Sequence, residues 1–222
     1  SISINGEIKR RNENNYSNNL IERFRYLAIK RSKEALINLM RNNYSDCYYH
    51  SVIQLNQQYY NENQSEKIFK YFLTNYYQLY FGKHVQLADK PQMKYIAVLE
   101  HGKDKRTTHF HVLHNPLRER FNEDVLIQQA NNFLVLANNT VNHHTDLGID
   151  DACSKQLVEE YIRFNTNAIM TKAIKKVMKN ANVDTKFISD KYHFDNLCDY
   201  FSKELNENNF IYYNRRSEER RV

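Results

Sequence analysis

Apolar positions fall into blocks of two periods, and the blocks predict an alternation of helices and short strands. Residues 1–19 are polar and Asn-rich and predict irregular structure. From Leu20 to about Met40, Leu20, Ile21, Phe24, Leu27, Ala28, Ala35, Leu36, Leu39 and Met40 recur at helical spacing, and Arg23, Arg25, Lys30, Arg31 and Lys33 make the other face basic. Tyr48 to Leu55 reads as a strand. Residues 64–82 read as a helix with an aromatic face (Phe69, Phe72, Tyr76, Tyr80), stopped by Gly82. Lys94 to Glu100 and Thr108 to Leu113 are short, apolar and β-branched or aromatic. A polar connector with one Gly joins them as a hairpin, and Asn115-Pro116 ends the second strand. Glu123 to Asn138 predicts a helix, His143 to Asp151 a loop, residues 154–181 a largely helical stretch, Asn196 to Asn206 a short helix and Phe210 to Tyr213 a closing strand. There is no internal repeat. This order predicts an α+β domain in which helices cover an antiparallel sheet.

The hairpin carries the chemistry. Alternate side chains of a strand share a face, so His109 and His111 point one way while Phe110 and Val112 point the other, into a core. Glu100 closes the partner strand within cross-strand reach of the histidines. Two imidazoles and a carboxylate suit Mn, Co, Ni or Zn, and Mg when a phosphate supplies further oxygens. Three protein ligands leave coordination positions open, the condition for catalysis rather than structure. Competing motifs fail on spacing. No H-E-x-x-H helix exists. A third alternating histidine is missing, because His114 falls one place late. His143, His144 and Thr145 do not supply the second H-x-Ser/Thr of a two-histidine phosphodiesterase.

Composition narrows the class. The 222 residues are 41% hydrophobic, enough for one sizeable domain or a domain with an extension. Only 4 Gly and 2 Pro argue against long flexible linkers. A formal net charge of +6 favours a polyanionic partner. Cys47, Cys153 and Cys198 are odd in number and lack metal-type spacing. Without a secretory segment or a bilayer-length apolar run, the expectation is a reduced, soluble, intracellular protein with no membrane partner. The chain begins at Ser1 and not at Met, which leaves room for flanking domains.

An open metal site beside a basic surface points to phosphoryl transfer, with water or a side chain as nucleophile. Tyr200-Phe201-Ser202-Lys203 is a Y-x-x-K, and on a helix its ends share a face. The phenol could attack phosphorus while the lysine neutralises charge or lowers the phenol pKa. Tyr80-Phe81-Gly82-Lys83 is a second match, so the pattern alone does not choose.

H-x-H on a strand followed by Y-x-x-K on a later helix resembles the HUH endonucleases, and among them the rolling-circle replication initiators (Rep) of plasmids and single-stranded DNA viruses. Ser51 to Asn56 looks like the first family motif, Glu100, His109 and His111 like the metal triad, and Tyr200 and Lys203 like the catalytic tyrosine and its lysine. Chain order selects Tyr200, because Tyr80 precedes the histidines. In the relaxase branch the tyrosine comes first, which would select a residue such as Tyr16. The resemblance is one of motifs, over roughly residues 46–215. It implies a four- to five-stranded antiparallel sheet, a ferredoxin-like or RRM-like palm, carrying Mg2+ or Mn2+ with the tyrosine helix beside it. It divides the chain into a basic helical extension (1–45), an endonuclease domain (46–215) and a basic tail (216–222). It also implies that Tyr200 attacks single-stranded DNA, often in an origin hairpin, leaving a 5′-phosphotyrosine and a free 3′-hydroxyl. Asn196 and Glu204 occupy the places four before and four after Tyr200, so a single-tyrosine mechanism follows. No Walker A segment is present, so helicase and polymerase are expected to be supplied separately.

Basic residues suggest where DNA would run. Lys103, Lys105 and Arg106 lie in the hairpin loop; Lys172, Lys175, Lys176 and Lys179 form a second group, and Arg215-Arg216 a third, with Asn56 at the first motif. No small-molecule substrate is expected. The compartment would be bacterial cytoplasm for a plasmid protein and the host nucleus for a viral one. A transposase of the same superfamily, or a nucleic-acid-binding module with structural histidines, are the alternatives.

Overall fold

The computed structural model describes residues 30–55, 60–83, 90–101, 107–141, 151–203 and 211–213. Helix α1 covers residues 30–43. It is followed by β1 (Tyr49–Leu55), α2 (Glu62–Phe81), β2 (Tyr95–His101), β3 (Thr108–His114), α3 (Glu123–Val141), α4 (Asp151–Lys175), β4 (Asn182–Phe187), α5 (Lys191–Lys203) and β5 (Ile211–Tyr213). The strands form one antiparallel sheet in the order β4-β1-β3-β2-β5. The expected α+β architecture is therefore observed.

Local signals set most boundaries. Asn61 and Gln64 form a reciprocal capping box at the start of α2. Gly82 ends that helix at φ 102°, a conformation costly for any residue with a Cβ. Helices α2, α3 and α4 also reach two or three residues past their expected ends, at Glu62, Val141 and Asp151, and three departures from the sequence pattern are larger or have a clear cause. Strand β4 lies where no strand is predicted. Val183 and Thr185 are buried and Phe187 partly so along it, while Asn182, Asp184 and Lys186 are exposed. This is the polar alternation of an edge strand, and its apolar content is too small to register as a strand. Helix α4 gives way to turns after Lys175 instead of running to residue 181. Helix α5 starts five residues before Asn196, because Asp190 caps it: its Oδ1 accepts from the His193 N–H at 2.8 Å and its carbonyl from the Phe194 N–H at 3.1 Å. The predicted irregular segment 1–19, residues 143–150 of the predicted loop, and the first part of the helix from Leu20 lie outside the described residues.

Strand parity sorts the side chains into two cores. On one face Ile53, Leu55, Ala97, Leu99, Phe110, Val112 and Val183 pack against α2 (Phe69, Phe72, Tyr76) and α4 (Met170, Ala173, Ile174). On the other, Ile96, Val98 and Leu113 pack against α1 (Leu36, Met40), the following Tyr44, and α5 (Phe194, Leu197, Cys198, Phe201). Residues 36–44, from the extension of residues 1–45, are thus part of this second core. Helix α3 packs on α4, outside the sheet layers. Among the described residues no helix is long and apolar enough to cross a membrane.

One buried polar cluster sits under the first face. Ser51 Oγ shares hydrogen bonds of 2.7 Å with both His114 Nε2 and Thr185 Oγ1, joining β1 to both neighbours. Burial pushes the His114 imidazole down to about 4, against an ordinary value of about 6.5. The unfolded chain therefore binds this proton more readily than the folded one. Stability from a neutral His114 is complete above about pH 6.5 and is lost as pH falls towards about 4, by roughly 3 kcal/mol. Thermal unfolding scans should show a midpoint falling across that window. His114→Leu, which leaves Ser51 its Thr185 partner, should reduce that slope without abolishing it, because burial depresses the His50 imidazole in the same direction; an unchanged slope would show that His114 contributes nothing to it.

Candidate metal centre and adjoining tyrosine

The second face carries the site. Pairing of β2 with β3 sets Glu100 opposite His109 and His101 opposite Thr108. Glu100, His109 and His111 therefore share one face of the sheet, while His101 turns to the other and meets Thr108 Oγ1 at 3.3 Å. His109 Nε2 lies 2.9 Å and His111 Nε2 2.6 Å from the same oxygen, Glu100 Oε2. Helix α5 supplies a third donor to that oxygen: the Tyr200 hydroxyl, at 2.6 Å. The hydroxyl is also 3.4 Å from His111 Nε2, and the two rings meet edge-on with centroids 4.9 Å apart.

Tyr200 reaches this point because α5 is amphipathic. Phe194, Leu197, Cys198 and Phe201 are buried on the sheet, and their phase brings the neighbouring Tyr200 to the edge of that contact, half-buried over the histidines. Side-chain exposures of 16% for Glu100, 20% for His109 and 9% for His111 leave the cluster reachable from solvent, so a substrate oxygen can enter. Burial works against ionisation of Glu100. Hydrogen bonds from His109, His111 and Tyr200 outweigh it and hold the carboxyl well below the usual range, so it is an anion at any ordinary pH.

The donor set fits a divalent cation. One ligand atom from each of Glu100, His109 and His111 lies within 4.8 Å of the others, two imidazole nitrogens and one carboxylate oxygen. With three protein ligands, such a site keeps positions open for substrate.

Sequence reasoning missed one residue of this neighbourhood. On β1, parity puts His50, Val52 and Gln54 on the site's face. His50 Nε2 is 3.1 Å from His111 Nδ1, and the rings stack at 5.4 Å with 18° between planes. Burial, then the neighbouring His111, push the His50 imidazole down to about 3, so it is neutral. The signal was present as the alternation Tyr49-Ser51-Ile53 against His50-Val52-Gln54. It acquires meaning only once β1 is known to lie beside β3.

The other expected residues are distributed unevenly. Lys203 is exposed, three residues after Tyr200 in the last turn of α5. Lys172, Lys175, Lys176 and Lys179 are exposed on α4 and the turn after it, in the helix layer of the opposite face, and are not gathered at the triad. Lys103, Lys105, Arg106, Asn56, Arg215 and Arg216 lie outside the described residues, as does Tyr16. The rival motif tyrosine, Tyr80, is buried in the first core, where its hydroxyl accepts from the Arg120 N–H at 3.1 Å, across the sheet from the histidines.

No protein-family model, no curated protein and no solved structure matches this chain.

Titration with Mn2+, followed by calorimetry and by thermal midpoint, should show binding that stabilises the protein. Ligand present at 100 times Kd contributes about 2.7 kcal/mol. Glu100→Ala and His109→Ala should each weaken binding by more than the roughly 10–100-fold typical of losing an outer partner. Equal Mn2+ affinity in Glu100→Ala would remove Glu100 from the site.

Proposed function

We propose that the protein is a metal-dependent, single-stranded DNA nicking and joining enzyme of the HUH type, with Tyr200 as nucleophile, acting as a rolling-circle replication initiator. The observation that carries this reading is the position of the Tyr200 hydroxyl, 2.6 Å from Glu100 Oε2 and 3.4 Å from His111 Nε2. A nucleophilic oxygen beside an open cluster of two histidines and a carboxylate is the arrangement that transesterification of a phosphodiester needs. The same pattern underlies the resemblance carried by the two histidines and the Y-x-x-K.

Glu100, His109 and His111 would hold Mg2+ or Mn2+, which when bound polarises the phosphate oxygens. Tyr200 supplies the attacking oxygen. Its proton is already directed to the Glu100 carboxylate, so the phenol is oriented and its O–H bond polarised before substrate arrives. Attack forms the Tyr200 O–P bond and breaks the P–O3′ bond. The departing 3′-oxygen takes up one proton in place of the one the phenol gives up, so protons balance, and the 5′-phosphate remains on the tyrosine. Lys203, on the same flank of α5, is exposed and free to approach the charged phosphate. One phosphodiester is exchanged for another, so the step is close to balanced in energy. A later 3′-hydroxyl can reverse it and release the enzyme. Half-burial of Tyr200 against His111 limits competing attack by water.

Incubation with a pool of single-stranded oligonucleotides and Mn2+ should give a covalent adduct stable to denaturing electrophoresis, with Tyr200 as the modified residue. Tyr200→Phe should abolish the adduct while leaving oligonucleotide binding intact. An undiminished adduct with Tyr200→Phe would displace Tyr200 as nucleophile. No adduct from the wild-type protein with any oligonucleotide, or with Mn2+ omitted and restored, would favour a binding module without catalysis.

A further inference from the structure

His111 has two ring nitrogens with different tasks. Its Nε2 faces Glu100 and Tyr200, at 2.6 and 3.4 Å. Its Nδ1 faces away from them, to His50 Nε2 at 3.1 Å. His111 is only 9% exposed, so both nitrogens need partners from the protein. While Nε2–H donates to the Glu100 carboxylate, Nδ1 carries the lone pair and must accept, which makes His50 the donor. A nitrogen that ligates a cation must instead offer its lone pair at Nε2, so the proton sits on Nδ1 and the same contact runs the other way, with His50 accepting. An imidazole at position 50 serves both senses, because its Nε2 is a donor in one tautomer and an acceptor in the other.

The surroundings restrict His50 to this role. Its ring stacks on His111 with 18° between planes, and Phe201 of α5 closes against both, with centroids at 6.0 and 6.1 Å. The ring thus has little room to turn away from His111. On the strand, His50 stands beside Leu113, two residue pairs from the row that holds His111 and on the same face. His50 lies outside the cluster of Glu100, His109 and His111 and yet touches one of its members.

From these contacts we infer that His50 is a positioning residue: it fixes the ring orientation and tautomer of His111 that present Nε2 to the metal, and so sets metal affinity. The inference rests on the metal reading of Glu100, His109 and His111. Outer partners of this kind tune affinity by supporting the ligand's other nitrogen.

The test is Mn2+ affinity of the full chain by calorimetry, with the thermal midpoint of each metal-free variant as control. His50→Phe keeps a ring against Phe201 and removes both hydrogen-bonding functions, and should weaken Mn2+ by about 10–100-fold. His50→Gln, whose amide can accept or donate, should stay within about threefold of wild type. If the larger ring disturbs folding, His50→Leu removes the same functions with less bulk and should match the expected loss. Wild-type affinity in His50→Phe or His50→Leu, while His109→Ala no longer binds, would overturn the role of His50 and leave the metal reading standing. His50→Gln as weak as His50→Phe would also overturn it, because packing of the imidazole would then be what matters. No Mn2+ binding by the wild-type chain would remove the metal reading itself, and the inference with it.

Discussion

Glu100 faces His109 across the β2–β3 hairpin, and a slip of one residue in that register would send every side chain of β3 to the opposite face. Phe110 and Val112 would then leave the first core for the site, and the two histidines would be driven among Phe69, Ile53 and Met170. The register is thus held by burial: Phe110 is fully buried, with its ring 4.9 Å from Phe69. The cluster of donors around Glu100 Oε2 exists because the apolar residues between them have somewhere better to be.

The sheet is covered on both faces, yet the two coverings do different work. Helices α2 and α4 close the first face with a large aromatic and aliphatic core, and beneath them Ser51 Oγ hydrogen-bonds both His114 Nε2 and Thr185 Oγ1. Helices α1 and α5 close the second face with a smaller core, and the site lies at its edge. There the same helix that seals the core with Phe201 delivers Tyr200 to the carboxylate. Packing of one residue therefore fixes the position of the next. A helix rotated by one residue would bury the phenol or lift it away from the site.

Much of the fold was legible because periodicity and punctuation agreed. The aromatic stripe of α2 ended at a glycine, and the hairpin strands were short apolar and aromatic runs on either side of a polar connector. The legibility failed where tertiary pairing overrode weak local content. Strand β4 has only Val183, Thr185 and Phe187 to turn inward, and it is a strand because β1 offers it a partner. The start of α5 was hidden because Asp190 caps a turn of mostly polar residues. Of the site, His109, His111 and Glu100 could be read from strand parity alone, since they lie within one hairpin. His50 could not, because nothing in the spacing of β1 says which strand will lie beside it.

By itself the sequence determined the elements whose signals are local: the α+β order, the hairpin, and two histidines with a carboxylate on one face. Those depend on alternation and turn chemistry, which neighbouring residues decide among themselves. Chain order favoured the later of two Y-x-x-K patterns through the resemblance, and only the tertiary structure separates them in space, burying Tyr80 on one side of the sheet and setting Tyr200 against Glu100 on the other. The tertiary structure also put His50 behind His111 and the α4 lysines in the opposite helix layer. These are contacts between residues 61 to 100 positions apart, and their cause is which apolar faces pack together, a quantity no local pattern contains.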